Sequence, residues 1–192
     1  DYDLVVIFHA GIGQDFSLPF LDPTPEDIPS TFIDSEMIQE YLGHPHVSVG
    51  SHIIKKGIIL PETQNHLLYE ISESMFLEAE RPCEYQYGLT GTFSLMVGFA
   101  IGLPPLWNIE TGESGVGIFG LMDQGSNNGR GIVPAPPTAW TRLYAGWENY
   151  VLGEFGLEYS LPIRSENSII KIPIRSDEYY LVECRSNWIK PN

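Results

Sequence analysis

The chain has 192 residues, of which 43% are hydrophobic, and this is enough to bury one core, so we expect a single domain over residues 1–192. Its 25 acidic residues outnumber its 10 basic ones and give a formal charge of -15, which argues against nucleic acid or an anionic membrane as partner. The longest apolar run, residues 95–103, is shorter than the roughly 20 residues of a membrane-spanning helix, so we expect no membrane-spanning segment.

The chain begins at Asp1 directly in a strand-like run, without an initiator Met or a signal peptide. We therefore expect a processed chain or a piece of a longer protein. Cys83 and Cys184 form an even pair that suits an oxidising compartment, and the sequence leaves open a disulfide between them or two buried thiols.

Apolar runs and turn signals predict the elements of the first half of the chain. Residues 3–8 are a continuous β-branched and aromatic run before a glycine turn, which predicts a central strand. Prolines between residues 14 and 33 exclude regular helix and predict an extended connection. Residues 55–61 predict an edge strand, since charge and proline blunt sheet edges. Residues 89–101 have helical length and are apolar on every face, which predicts a wholly buried helix.

The second half of the chain predicts one helix and several strands. Residues 137–147 begin with proline and repeat large apolar side chains at helical spacing, which predicts an amphipathic helix packed on the core. Residues 158–163, 168–174 and 178–185 are strand-like runs separated by polar turns, so residues 150–192 form a β-rich C-terminal part.

Three separated blocks carry a family resemblance. They are DYDLVVIFHAGIG, then GFAIGLPPLWN with GVGIFGLMDQGSNNGRGIVPAPPTAWTRLYAGW, and finally DEYYLVECR. In this order they resemble the immune inhibitor A-like family of secreted metallopeptidases, whereas residues 14–88 match it only loosely. The resemblance implies an α+β, metzincin-like peptidase fold with a mixed twisted sheet, a buried former active-site helix and C-terminal β-strands. It also implies an extracellular or cell-surface location.

The residues that would bind zinc in such a peptidase are replaced in this chain. The family helix carries H-E-x-x-H, in which two histidines bind zinc and the glutamate activates a water, and a third ligand follows. The resemblance places the histidines at Leu95 and Phe99, the glutamate at Met96 and the third ligand at Pro105. Met122 matches the methionine beneath the zinc and is expected to be an ordinary core residue. We therefore expect no zinc, no peptidase activity and a former site converted into core.

A cluster of histidines offers a different metal site. His44, His46 and His52 bring three imidazoles close together in sequence, which suits a transition metal. The proline between two of them and the absence of a nearby cysteine favour a solvated loop.

An oxygen-rich loop and a group of aromatic residues each have two interpretations. Asp123, Asn127 and Asn128 supply the oxygens that calcium prefers, but the same composition suits a tight turn.

The aromatic residues suggest a sugar-binding platform, although helical spacing favours core or interface packing; they are Trp107, Trp140, Tyr144 and Trp147.

Taken together, these expectations describe a catalytically inactive metallopeptidase-like domain. It would serve as a structural or protein- or peptide-binding module of a secreted or cell-surface protein, with a peptide added beside an edge strand at residues 53–61. The sequence leaves several partners open: other domains of the same polypeptide, copies of the chain in an assembly, or an active homologue that it regulates. The alternative is an active metallopeptidase or hydrolase whose metal site has moved to His44, His46 and His52.

Overall fold

The computed structural model describes residues 2–15, 26–64, 87–163 and 168–186. Within these ranges the chain is α+β, with three small sheets and few helices. No helix in the described ranges is long and apolar enough to cross a membrane. The chain divides into two compact units, residues 1–136 and 137–192. The expectation of one domain over residues 1–192 stays a prediction, as does a β-rich part beginning at residue 150.

The first unit contains most of the described secondary structure. Its elements are β1 (Val5–Ile12), β2 (Thr31–Ile33), α1 (Ser35–Leu42), β3 (Val47–Val49), β4 (His52–Ile54), β5 (Gly57–Thr63) and α2 (Thr90–Ala100). Strands β1, β5 and β2 form a mixed sheet in that order, in which β5 runs parallel to β1 and antiparallel to β2. Strands β3 and β4 form a separate antiparallel hairpin.

The positions of two strands differ from the sequence prediction. Strand β1, expected in the centre, lies at an edge of the sheet, whereas β5, expected at an edge, lies between two partners. The charge that suggested an edge belongs to Lys56, which precedes the strand and donates from Nζ to the Ala100 carbonyl oxygen at 3.2 Å. Lys56 therefore interacts with the C-terminal end of α2, where a cation is favoured, and does not mark an open edge.

Helix α2 confirms the helix predicted at residues 89–101, but its burial is only partial. Phe93 is 39% exposed, and only Gly91, Thr92, Gly98 and Ala100 of the helix are buried. Ala100 packs in one cluster with Ile58 and Leu60 of β5, and the half-buried Met96 and Val97 pack against that cluster. A helix that is apolar on every face therefore still leaves apolar side chains accessible in the described structure.

Helix α1 was not predicted, although its ends carry recognisable signals. The Asp34 carboxylate accepts from the backbone N–H groups of Glu36 and Met37, which satisfies two of the free donors at the helix start. Gly43 ends the helix at a φ of 76°, a conformation that glycine adopts at little cost.

The second unit contains α3 (Ala139–Tyr144), β6 (Val151–Leu152), β7 (Ile169–Pro173) and β8 (Tyr179–Glu183). The three strands form one sheet in the order β6-β7-β8, and β7 pairs with β8 in antiparallel fashion. Strands β7 and β8 confirm the runs at 168–174 and 178–185. The strand predicted at 158–163 is wrong. Pro162 lacks an N–H for a ladder, and the Tyr159 hydroxyl contacts Glu154 N at 2.8 Å instead.

Helix α3 confirms the helical part of residues 137–147 but not the expected orientation of its aromatic side chains. Trp140 is 36% exposed and Tyr144 is 58% exposed, whereas Ala139 and Thr141 are buried. The Ala139 N–H donates to Glu183 Oε1 at 3.0 Å, so the start of α3 lies close to β8, and the small side chains of Ala139 and Thr141 occupy the buried side of the helix. The aromatic residues are consequently left at the surface.

An ion-pair network holds the second unit together around Arg142. This guanidinium donates to Glu148 Oε2 at 2.7 Å and to Glu183 Oε2 at 3.0 Å. Burial alone would raise the pKa of both carboxyl groups, but the hydrogen bonds that they accept outweigh this effect. Glu148 accepts from Ser168 and Arg142. Glu183 accepts from Arg185, Ala139 and Arg142. The pKa of each carboxyl group is therefore below its ordinary value, and both remain ionised at neutral pH.

Only one of the two cysteines lies in the described part of the chain. Cys184 follows β8 and is half-buried, without a disulfide to any described residue. Cys83 lies outside the described residues, so the choice between a disulfide and two thiols stays a prediction.

Candidate functional site

The residues that the family resemblance aligns with a zinc-binding motif lie on α2 and in the turn after it. Leu95, Met96 and Phe99 are half-buried on the helix, and Pro105 is half-buried beyond its C-terminal end. Met96 packs against the buried cluster that contains Ile58. These side chains offer no lone pair suited to zinc and no group that titrates near neutral pH.

Phe99, which the resemblance aligns with the second histidine, takes part in an aromatic cluster. Its ring centroid lies 6.5 Å from that of Phe32 in a stacked arrangement and 5.8 Å from that of Trp107 in an edge-to-face arrangement. Both distances fall in the range of favourable aromatic pairs, about 4.5–7 Å. The space beside Phe99 is therefore occupied by apolar rings.

Met122 lies directly against α2. Its side chain is fully buried, and a Cβ placed on Gly98 would stand 2.5 Å from the Met122 sulfur. The absence of a side chain at Gly98 is what lets the methionine approach the helix. The position fits the methionine of the family resemblance and an ordinary core residue equally well.

Asp123 follows Met122 and holds the neighbouring loop through its carboxylate. Oδ2 accepts from the Ser114 hydroxyl and from the backbone N–H groups of Gly115, Val116 and Gly117 at 2.8 to 3.0 Å. Oδ1 accepts from the N–H of Gln124 at 2.8 Å. Burial alone would raise the pKa of Asp123, but the hydrogen bonds from Val116 and Ser114 outweigh that effect. The pKa of the carboxyl group therefore lies below its ordinary value, and the group stays ionised.

These contacts bear on the calcium hypothesis for this loop. The lone pairs of Asp123 Oδ2 already receive four donors, which leaves that oxygen little capacity for a cation. The Asn128 side chain donates from Nδ2 to the Ile118 carbonyl at 2.9 Å, and Asn127 is exposed. The geometry favours a tight turn, and calcium binding through Asp123, Asn127 and Asn128 stays an untested prediction.

The three histidines remain on an exposed part of the first unit. His44 Nδ1 lies 2.6 Å from the His46 carbonyl oxygen, and the two rings are 5.8 Å apart. The ring of His52, at the start of β4, packs against Tyr2 with 5.8 Å between the centroids. Among residues 2–15, 26–64, 87–163 and 168–186, no three His, Cys, Asp or Glu side chains are grouped closely enough to hold a metal ion.

A buried polar cluster in the first unit was not predicted from the sequence. Gln64 is 2% exposed, and its Nε2 donates to Asp15 Oδ2 at 2.6 Å and to Thr92 Oγ1 at 3.2 Å. The N–H of Ser30 donates to Asp15 Oδ1 at 2.7 Å. The cluster therefore ties the ends of β1 and β5 to the first turn of α2. The only sequence signal is a glutamine placed directly after a buried strand.

The outer edge of β1 is open within the described ranges, because β5 is its only strand partner there. The N–H of Val5 donates to the Lys56 carbonyl at 3.2 Å, so the backbone groups of Val5 face β5. Because the two sides of a strand alternate, the N–H and C=O groups of Val6 and Phe8 face outward. Val6, Ile7 and Phe8 are 37%, 52% and 60% exposed, which makes this edge unusually apolar.

No protein-family model, no curated protein and no solved structure matches this chain. The likeness to immune inhibitor A-like peptidases therefore rests on the sequence blocks alone, and a metzincin-like fold stays a prediction.

Proposed function

We propose that this chain is a catalytically inactive, metallopeptidase-like binding module of a secreted or cell-surface protein. We further propose that it binds an extended basic peptide by adding it as a strand to the outer edge of β1. The observation that carries this proposal is the open, apolar edge formed by Val6, Ile7 and Phe8. Strand addition uses main-chain hydrogen bonds for affinity and side-chain contacts for specificity, and β1 offers both.

The loss of catalysis is supported by the packing around α2. Met96, where the general base would stand, contacts the apolar core, and Phe99 stacks with Phe32 and Trp107. A hydrolytic zinc site needs three protein ligands and an open position for water. The described residues around α2 supply apolar side chains in their place.

The proposed binding edge differs from the one that the sequence suggested. Residues 53–61 include most of β5, which lies between β1 and β2 and is paired with β2 at residues 57–59, so it offers few free backbone groups to an added strand. Among the described residues, the two edge strands of the same sheet are β1, with eight residues, and β2, with three. The longer edge offers more main-chain hydrogen bonds to an added strand, so strand addition is assigned to β1.

The charge of the first unit favours a basic partner. Residues 1–136 contain 18 acidic and 4 basic residues, whereas residues 137–192 contain 7 acidic and 6 basic residues. A basic peptide is attracted to the first unit, while a second copy of the same unit is repelled. This charge distribution makes a basic peptide the preferred partner over self-association.

A labelled seven-residue peptide in which Lys and Val alternate tests this proposal by fluorescence anisotropy. Val6→Pro removes an outward-facing N–H without touching the hydrogen bonds to β5, because the N–H of Val6 points away from it. We expect this variant to bind the peptide at least about tenfold more weakly than the wild type. Val6→Thr, which keeps the N–H and the β-branched shape, is the matched control and should bind like the wild type.

A second peptide, in which Glu and Val alternate, tests the charge argument. We expect binding at least about tenfold weaker than that of the basic peptide, with the difference shrinking as salt is added. Equal affinity of the Val6→Pro and Val6→Thr variants, or no binding of the basic peptide to the wild type, would overturn the strand-addition proposal. Circular dichroism of both variants verifies that the fold is retained.

A further inference from the structure

The second unit contains an open pocket of ≈ 250 Å³ whose lining is mostly aromatic. Its lining residues are Trp140, Leu143, Tyr144, Tyr150, Lys171 and Tyr179, contributed by α3, the segment before β6, and strands β7 and β8. Pockets that hold drug-sized ligands measure about 300–1,000 Å³, so this one suits a single ring or a group of that size.

One wall of the pocket is formed by two aromatic side chains of α3. The rings of Trp140 and Tyr144, four residues apart on the helix, are stacked with 5.1 Å between centroids and 18° between planes. Both remain accessible, at 36% and 58% exposure. Stacking against each other fixes the two rings, so the surface is held in place before any ligand arrives.

The polar group of the pocket is Lys171. Its Nζ lies 4.1 Å from the ring centroid of Tyr179 and 5.0 Å from that of Tyr150. Arg142, Arg175 and Arg185 of the same unit each pair with a carboxylate, whereas Lys171 has no carboxylate partner among the described residues. Its ammonium therefore keeps its hydrogen-bond donors for a ligand.

The balance of charge around Lys171 allows an anion to approach. Residues 137–192 carry 7 acidic and 6 basic residues, so this unit lacks the strong negative charge of residues 1–136. An ammonium held against aromatic rings, without a carboxylate partner in the described structure, is a site for an anionic group.

We infer that this pocket binds one residue of an acidic glycan, a sugar ring that carries a carboxylate. The apolar C–H face of the ring would lie on the stacked Trp140 and Tyr144, and the carboxylate would accept hydrogen bonds from Lys171 Nζ. Tyr144, Tyr150 and Tyr179 also line the pocket, and their hydroxyl groups can hydrogen-bond to the sugar hydroxyls. The inference does not depend on the peptide-binding edge, which belongs to the other unit.

Isothermal titration with trigalacturonate, against the neutral trisaccharide cellotriose, tests the inference on the full chain. Lys171→Met keeps the apolar stem and removes the charge, and we expect it to weaken trigalacturonate binding at least about tenfold. Trp140→Ala removes the stacking surface and is expected to weaken trigalacturonate binding by a similar factor. Trp147→Ala, an exposed tryptophan that does not line the pocket, is the matched control and should bind like the wild type.

Three outcomes of these titrations would each overturn the inference: no trigalacturonate binding by the wild type, equal affinity of wild type and Lys171→Met, or equal affinity for trigalacturonate and cellotriose. A fourth comes from a comparison ligand. Benzoate serves as an aromatic carboxylate that lacks sugar hydroxyls. Tighter binding of benzoate than of trigalacturonate would assign the pocket to an aromatic anion and contradict the glycan.

Discussion

Gly91→Ala is expected to lower the free energy of unfolding by at least about 3 kcal/mol, even though alanine is the better helix former by about 1 kcal/mol. A Cβ on Gly91 would stand 1.7 Å from the carbonyl oxygen of Ser126 and 2.8 Å from its carbonyl carbon. These are backbone atoms of a buried turn, so they cannot move aside as a side chain does. The helix or the turn must shift, and the packing between them is lost.

Gly98→Ala is the matched control for this prediction, because it makes the same substitution two turns along the same helix. Its Cβ would stand 2.5 Å from the Met122 sulfur and 3.0 Å from the Met122 terminal methyl carbon, the far end of a flexible side chain. We expect a loss of about 1–2 kcal/mol, smaller than that of Gly91→Ala. Urea denaturation of both variants measures the difference. Equal stabilities would show that the close approach of α2 to Ser126 does not exist in solution.

Asp123→Ala is expected to lower the free energy of unfolding by about 2–4 kcal/mol, since the buried carboxylate accepts several hydrogen bonds and a hydrogen bond to a charged group contributes about 1.5–3 kcal/mol. The carboxylate is the acceptor for the N–H groups of Gly115, Val116 and Gly117. Ser114→Ala removes only one donor and keeps the carboxylate, so it should cost about 1 kcal/mol. Urea denaturation of the two variants measures their free energies of unfolding. An Asp123→Ala variant as stable as Ser114→Ala would contradict the account.

The same carboxylate makes part of the stability depend on pH. Its pKa in the folded protein lies below the ordinary value of 3.8 despite burial, because hydrogen bonds from Val116, Ser114 and Gly117 stabilise the ionised form. A lowered pKa stabilises the fold above the unfolded-state value, and this contribution is lost as the pH falls through the folded-state value. The difference in unfolding free energy between the wild type and Asp123→Asn should therefore become smaller below about pH 4. A gap that stays constant between about pH 6 and about pH 3 would show that the carboxylate contributes nothing to this pH dependence.

Local patterns were enough to locate several elements of the fold. The apolar run of α2 and the alternating strands β7 and β8 were predicted within a few residues, because periodicity and flanking turns depend on nearby sequence. The order of strands in the first sheet was not predicted. The partners of β5, which are β1 and β2, lie about 50 and 25 residues away in the sequence, and no local signal selects them. The outward orientation of Trp140 was missed because the small residues Ala139 and Thr141 form the buried side of α3.

For the candidate sites, too, the sequence predicted single residues but not the contacts between distant segments of the chain. The replacements at Leu95, Met96, Phe99 and Pro105 were read from the family resemblance, but their packing partners were not. The cluster of Asp15, Ser30, Gln64 and Thr92 was missed because its members come from four distant segments of the chain. The pocket around Lys171 was missed for a similar reason, since its tyrosines and its helix meet only in the folded unit.

Zinc content of the purified, chelator-free protein, measured together with cleavage of a mixed peptide pool, tests the central claim most directly. The account predicts less than about 0.1 zinc per chain and no cleavage above that of a buffer control, because no zinc-binding motif remains on α2. About one zinc per chain with cleavage, both lost in a His44→Ala, His46→Ala, His52→Ala triple variant, would contradict the account and establish a relocated metal site.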